Sequence, residues 1–483
     1  MKNLIAITMT TSLFLNALNS QAGVLVYRSG YLHPGCSITT PNFEPSKMDP
    51  YYTLKCNGGV VKRDDWRTTP PVTYFDNINF EQSSSGAISY RSVANVFASR
   101  PLDFNYLAFS DEGILDKPII LVEGYDPENA TKPTDFHGKG FKKLVTGGRD
   151  LFIVNFPNGS ANLDSNAQLL KNIIQEINSA KTGTHPTAVI GYSMGGIVAR
   201  KALKSMEMSG VNHQVSLYIS YDAPHMGANL QGSIERTVEK LIDKIDDRSF
   251  GYTPSALTRA RNLYKSPAAQ EMLIGAPNYR AAESIDFPNN VVRIGVTSGS
   301  LNGITQQSSL LDGEQVGYFN MTIEKKVLGI TTTLSESSTL YGSRRANIYY
   351  DNVPGSYLYQ LDDFMYKLAG GVKITTYQDH RSPYSRRVTF IPTTSALAMK
   401  GLPTTPTINV VKFNSPFDLY IAADRSGRDA CTVLNDQTST GDNILHNPGS
   451  GNYDDSQLNQ INCALTRFHK PGVVIPDRSF KIN

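Results

Sequence analysis

The residue types that can do chemistry are concentrated at Gly191-Tyr192-Ser193-Met194-Gly195. Thr187 to Tyr192 starts as a short apolar run of buried-strand type. The residues after it have helical periodicity, with Ile197, Val198, Ala202 and Leu203 on one face and Gly210 as the C-terminal stop. A serine between two such elements sits on a sharp turn with strained backbone angles and close neighbours. Gly191 and Gly195 let the chains approach there without a Cβ clash. The turn lifts the Ser193 hydroxyl clear of the sheet. It also aims the first amides of the helix at the space above, where they can stabilise a negative oxygen. Gly-x-Ser-x-Gly alone arises by chance in glycine-rich chains and can be an ordinary tight turn. The strand before it and the helix after it make this one the setting of a nucleophile.

This segment resembles the nucleophile elbow of the α/β-hydrolases. The elements from Lys117 to the C-terminal helix resemble secreted lipase-like α/β-hydrolases of bacteria, over roughly the last three-quarters of the chain, with specificity at the elbow alone. The resemblance implies a chain order of serine, acid, histidine. It also bears on the strand ending at Glu123-Gly124-Tyr125-Asp126-Pro127. Many lipases of this fold carry His-Gly at the corresponding place, and this chain carries Glu123-Gly124. The amide after the glycine can still donate, so Tyr125 N–H and Met194 N–H are the expected oxyanion hole. The role of the Glu123 side chain is open.

A hydroxyl nucleophile needs a base, and the base needs a carboxylate to orient it. The chain has eight histidines. His33, His137 and His185 precede Ser193, and His213 lies at the wrong end of the next strand. His225 comes too early and suits a turn-stabilising role. His469 follows the last helix. His380 and His446 remain; His446 is preferred, because it sits in a Gly/Asn/Pro loop just before the terminal helix, where the family's histidine lies. The acid is Asp222 or Asp418. Asp222 ends the strand next to the nucleophile strand and is preferred; Asp418 is the alternative, and either could be an ordinary turn aspartate. Residues 387–397, with Phe390-Ile391-Pro392, resemble the place where many lipases have Asp-Gly-x-Val-Pro, but no acid stands there.

The elements that must position these residues alternate. Residues 117–127 and 151–156 read as strands. Residues 167–177 read as a helix with Leu169, Leu170, Ile173, Ile174 and Ile177 on its apolar side. After the elbow helix, 214–221 is a further strand running into Asp222-Ala223-Pro224-His225-Met226-Gly227. Residues 228–275 look helical, with Ile234, Val238, Leu241, Ile242 and Ile245 on one face, either a lid or a helix packed on the core. Residues 290–298 form another strand, and 452–468 a final helix bearing Cys463. The expected fold class is α/β, an α/β-hydrolase fold with a mostly parallel central sheet and helices on both faces. It comprises a signal peptide (1–22), an N-terminal β-rich region (23–110) and a hydrolase domain (111–483). That domain carries a helical, lid-like insertion at 228–285 and a β-rich insertion at 315–380.

Composition bounds the rest. With 483 residues, 40% hydrophobic and 18% charged, the chain can bury a large core, and a net charge of +3 gives no reason to expect nucleic acid or electrostatic membrane docking. Lys2, a mostly apolar stretch from Leu4 to Leu18 and Ser20-Gln21-Ala22 read as a cleavable export signal leaving Gly23 as the mature start, preferred over a membrane anchor because the apolar run is short and carries several Thr and Ser. The chain is therefore expected in a periplasm or outside the cell. Cys36, Cys56, Cys431 and Cys463 all fall in the exported part, which suggests two disulfides, Cys36–Cys56 and Cys431–Cys463 being the simplest of three pairings. Trp66 reads as local core, and Ser83-Ser84-Ser85-Gly86 as a joint. No spacing suggests a metal site and no cofactor is expected; the oligomeric state leaves no trace. The function expected is a serine hydrolase of carboxylic esters, a lipase or carboxylesterase making transient contact with a lipid interface. A phospholipase or polyester hydrolase with the same triad is an alternative. From another class, so is a non-catalytic surface- or polymer-binding protein on a hydrolase scaffold.

Overall fold

The computed structural model describes residues 115–127, 139–156, 158–230, 264–279, 286–306, 353–357, 389–399, 415–439, 441–446 and 452–477, a few single positions between them, and the backbone of the further strands named below. Residues 1–22, read above as an export signal, Trp66, residues 83–86, read as a joint, and His380 lie outside the described residues.

One nine-stranded sheet organises the chain. Its strands, in chain order, are β1 (Leu25–Tyr27), β2 (Tyr90–Ser92), β3 (Asn105–Ser110), β4 (Pro118–Val122), β5 (Asp150–Asn155), β6 (Thr187–Tyr192), β7 (Val215–Tyr221), β8 (Val292–Val296) and β9 (Leu419–Ile421). Across the sheet they run β9-β8-β7-β6-β4-β5-β3-β1-β2. Every neighbouring pair from β9 to β5 is parallel, which makes six strands in one direction. β3 lies antiparallel on β5, β1 parallel on β3, and β2 antiparallel on β1. Strands from the N-terminal β-rich region thus extend the central sheet. The chain leaves β4 for β5 on one side and returns to β6 on the other. In an open α/β sheet the crevice beyond the C-terminal ends of such strands is where ligands bind. This order and polarity are those of an α/β-hydrolase fold.

The central strands are apolar throughout because both sheet faces are covered. β4, β6 and β8 are buried at every position. On one face Ile120, Val122, Phe152, Val154 and Val189 pack against α1 (Leu163–Ala180) and α2 (Met194–Met208) through Leu170, Ile173, Ile174, Ile177, Ile197, Val198 and Leu203. On the other, Ile119, Leu121, Leu151, Ile153, Ile190, Leu217 and Ile219 pack against Leu458, Ile461 and Leu465 of the terminal helix. α1 is longer than its apolar stripe, because the Asn162 side chain caps it by accepting from Ser165 N–H. α2 ends where expected: Gly210 takes φ +67°, its N–H donates to Glu207 O at 3.0 Å, and Val211 N–H donates to Met206 O at 2.9 Å, a Schellman closure.

In the region read as a lid, Val238 and Ile242 are buried helical positions, while Ile234, Leu241 and Ile245 lie outside the described residues. The segment closes with the short α3 (Pro267–Met272), capped by Ser266. The β-rich insertion holds a long hairpin, Gln315–Val327 with Ile330–Tyr341, and Lys373–Thr375 pairs on its first strand. Thr389–Pro392 does not enter the central sheet. It pairs with Gly355–Tyr357 in a sheet of two, and the last central strand is β9. Near the N-terminus a three-stranded sheet sets Cys36 opposite Cys56 in register; their side chains lie outside the described residues. Among the described residues no helix is long and apolar enough to cross a membrane.

Cys431 and Cys463 are bonded, as expected, and link α4 (Ala430–Asp436) to α5 (Asp455–Phe468). The bond closes a loop with a sequence separation of 32 that contains His446. Loop-closure entropy for that length amounts to about 3–4 kcal/mol. Replacing both cysteines by serine is expected to lower unfolding free energy by about that amount, read as a shift of the urea midpoint.

Candidate active site

Ser193 leaves β6 at φ +51° and ψ −123° and begins α2. That φ is unusual for a residue with a side chain and persists only where packing dictates it. A Cβ at Gly191 would stand 2.3 Å from Gly195 O. One at Gly195 would stand 2.3 Å from Glu123 O and 2.5 Å from Val122 O. The turn is therefore pressed between its own helix and the end of β4. Ser193 N–H donates to Tyr221 O at 2.8 Å, which ties it to β7 on the other side.

Asp222 follows β7, with φ +47°, and is completely buried. One carboxylate oxygen accepts Ser298 N–H at 3.0 Å, and the other lies 2.7 Å from His446 Nδ1. His446 Nε2 lies 2.9 Å from Ser193 Oγ. A carboxylate can only accept, so the Nδ1 proton points at Asp222, and Nε2 presents its lone pair to the hydroxyl. The His446 loop is stitched in place from several elements. His446 N–H donates to Tyr357 O at 2.8 Å, and Ile444 N–H to Ser298 O at 2.8 Å. The Tyr192 hydroxyl donates to His446 O at 2.5 Å, and its ring stacks on the imidazole at 5.2 Å, while Phe390 meets the imidazole edge-on at 5.1 Å. Burial above all, with Tyr453 and Asp222 nearby, pushes the Tyr192 hydroxyl well above its ordinary pKa, so it stays a donor.

The structure thus brings Ser193, His446 and Asp222 together. It does not bring the alternative acid. Asp418 precedes β9, at the opposite edge of the parallel sheet from Ser193, and its Oδ2 accepts Arg293 N–H at 2.8 Å. Met194 is the first residue of α2, where helix amides have no intrahelical partner. Tyr125 follows Gly124, where a Cβ would stand 3.0 Å from Ser193 Cβ, so the backbone leading to the Tyr125 amide runs close against the serine. The Tyr125 hydroxyl lies 2.7 Å from Ser266 Oγ. Burial raises its pKa above the usual tyrosine value.

The sequence matches a family model described as "PGAP1-like alpha/beta domain" over residues 155–263, which include Ser193 and Asp222 and well under half of the chain. No curated protein matches it. Among solved structures, the mature form of a Bacillus licheniformis lipase is 18% identical, with a TM-score of 0.26, over 40% of this chain and 71% of its own. A meta-cleavage product hydrolase from Pseudomonas fluorescens is 16% identical, with a TM-score of 0.24, over 40% and 75%. Aspergillus fumigatus lipase B is 16% identical, with a TM-score of 0.27, over 48% and 46%, so this chain spans less than half of that protein. Strand order and polarity, not these likenesses, show the fold.

Tyr192, Ser298 and Tyr357 were not singled out by sequence, and Phe390 was named only within residues 387–397, with no place beside His446. Tyr192 carried a usable signal, since it adjoins Ser193 inside the motif; the others reach the site only through long-range folding. His225 has the structural place expected of it. It is completely buried, and its Nε2 lies 2.7 Å from Ser220 Oγ. Burial first, and the Arg200 guanidinium second, hold its pKa well below the ordinary histidine value. The folded chain keeps this ring neutral, and the unfolded chain protonates it below about pH 6.5, so the unfolded state binds the extra proton and stability falls as pH drops from there. The urea midpoint is expected to fall between about pH 7 and about pH 5, and to fall less in His225→Gln, which has no proton to take up.

Proposed function

We propose that this protein is a serine hydrolase that cleaves carboxylic esters through an acyl-enzyme. The observation that carries the reading is the unbroken hydrogen-bond chain from Asp222 through His446 to Ser193, with spacings of 2.7 and 2.9 Å, at the crevice where the order of the sheet reverses. Ser193 Oγ attacks the ester carbonyl carbon while its proton passes to His446 Nε2. Asp222 stabilises the imidazolium through Nδ1–H. The carbonyl oxygen takes up the negative charge against the Tyr125 and Met194 amides. When the tetrahedral intermediate collapses, the C–O bond to the alcohol breaks and His446 returns the proton to the leaving oxygen. Water, deprotonated by the same imidazole, then releases the acid.

Ester and lipid substrates are both within this chemistry. The Cys431–Cys463 bond supports work in an oxidising compartment, a periplasm or the outside of the cell, and so agrees with an export signal in residues 1–22.

The test is hydrolysis of p-nitrophenyl esters of increasing acyl length, together with labelling by a fluorophosphonate. Ser193→Ala is expected to abolish both. Asp222→Asn should lower kcat by about 10^4-fold, because the amide can donate to Nδ1 and so favours the wrong tautomer. Asp418→Asn should leave kcat unchanged. Full turnover in Ser193→Ala would overturn the reading. A wild-type protein that neither turns over esters nor takes the label would favour a binding protein on this scaffold.

A further inference from the structure

The Glu123 carboxylate takes no part in the reaction above, yet it is a costly group to bury and is 1% exposed. Its Oε1 accepts the N–H of Phe156. The parallel register of β4 on β5 ends at Val122 opposite Val154, and Glu123 N–H adds one more bond, to Val154 O at 3.2 Å. Beyond that point the two chains part, and the side chain of Glu123 continues the tie to β5. The carbonyl of the same residue lies against Gly195 in the first turn of α2, and the next residue, Gly124, lies against Ser193. Glu123 is therefore held by β5 on one side and by the elbow on the other. The amide two bonds beyond Gly124 Cα is the proposed oxyanion donor of Tyr125.

We propose that Glu123 is a positioning residue for the oxyanion hole, an inference that rests on the hydrolase reading above. Its acceptor oxygen fixes the height at which the Gly124–Tyr125 backbone crosses Ser193. The acceptor does this, not the charge, because a negative charge beside the developing oxyanion works against it. A loop freed to shift by a fraction of an ångström still binds the planar ester, but meets the tetrahedral oxygen poorly.

The experiment compares Glu123→Ala, Glu123→Gln and Glu123→Asp in the full mature chain. It reads kcat and KM on a p-nitrophenyl ester, the inhibition constant of phenylboronic acid, and the urea midpoint. The boronate forms a tetrahedral adduct on Ser193 that sets an oxygen in the oxyanion site, so its affinity reports that site separately from stability. Glu123→Ala is expected to lower kcat by about 10- to 100-fold, with KM within about threefold and boronate affinity lost in parallel with kcat. Glu123→Gln, which keeps the acceptor, should recover most of both. Glu123→Asp, whose shorter side chain cannot reach Phe156 N–H from the same backbone, should lose both and carries the test if the alanine variant does not fold. Wild-type kcat and boronate affinity in folded Glu123→Ala or Glu123→Asp would overturn the inference, as would a glutamine variant no better than alanine. An active wild type with any of those results leaves the hydrolase reading standing; a wild type without turnover or phosphonate labelling removes both.

Discussion

The site depends on one close approach, that of the first turn of α2 to the carbonyls at the end of β4. At Gly195 there is room for a hydrogen and nothing larger, with Glu123 O where a Cβ would have to be. That contact fixes the strand that carries Gly124 and Tyr125 against the helix that starts at Ser193. It also accounts for the φ of +51° at the serine, a conformation that costs on the order of 1–3 kcal/mol and must be held by its surroundings. The holders are the strands on either side: the fully buried β4 through this contact, and β7 through the bond from Ser193 N–H to Tyr221 O. The strain is local, and the core that supports it spans both faces of the sheet.

The histidine is a different problem, because it comes from a loop 253 residues further along the chain. A loop gains precision only from what ties it down. Here the ties converge from Tyr357, Ser298 and Tyr192, and the loop itself is bounded by the Cys431–Cys463 bond. Ser298 serves twice. Its N–H holds Asp222, and its carbonyl holds the backbone at Ile444, two residues before His446. Asp222 and the His446 loop are thus referenced to one residue just beyond β8, and a displacement of that strand end moves both together.

What was legible in the sequence follows from range. Ser193 was readable because the strand, both glycines and the helix that define it are contiguous. His446 was reachable from chain order and from its loop before the last helix. The choice between Asp222 and Asp418 needed the strand Leu419–Ile421, which the sequence did not announce. In a parallel sheet only a residue that follows its strand reaches the C-terminal edge; Asp222 follows Val215–Tyr221, whereas Asp418 precedes Leu419–Ile421. The junction of β1, β2 and β3 with the central sheet, and the separate pairing of Thr389–Pro392, were not legible. Short strands carry too little periodicity to name their partners. The ties from Tyr192 to His446 and from Glu123 to Phe156 span 254 and 33 residues, and nothing local announces either.

Behind Ser193, His446 and Asp222 the chain builds a wall of aromatic rings. Tyr192 packs on Phe136 at 5.7 Å, on Tyr221 at 5.7 Å and on Tyr453 at 5.3 Å, and Tyr453 packs on Phe141 at 4.9 Å. The polar tips in this wall are spoken for. Tyr221 donates to Gln457 Oε1 at 2.5 Å, and the Gln457 amide donates to Thr297 O at 2.7 Å. Asp222 and His446 are buried beside this wall, and a hydrogen bond is stronger in such a low-dielectric setting than in water. Burial above all makes Tyr192 and Tyr221 hold their protons firmly, with Tyr453 and the Asp222 charge adding to it. The terminal helix thereby enters the site without contributing a reacting atom. Through Gln457 it closes the polar ends of the aromatic layer, and through Cys463 it anchors the far end of the loop that bears the histidine.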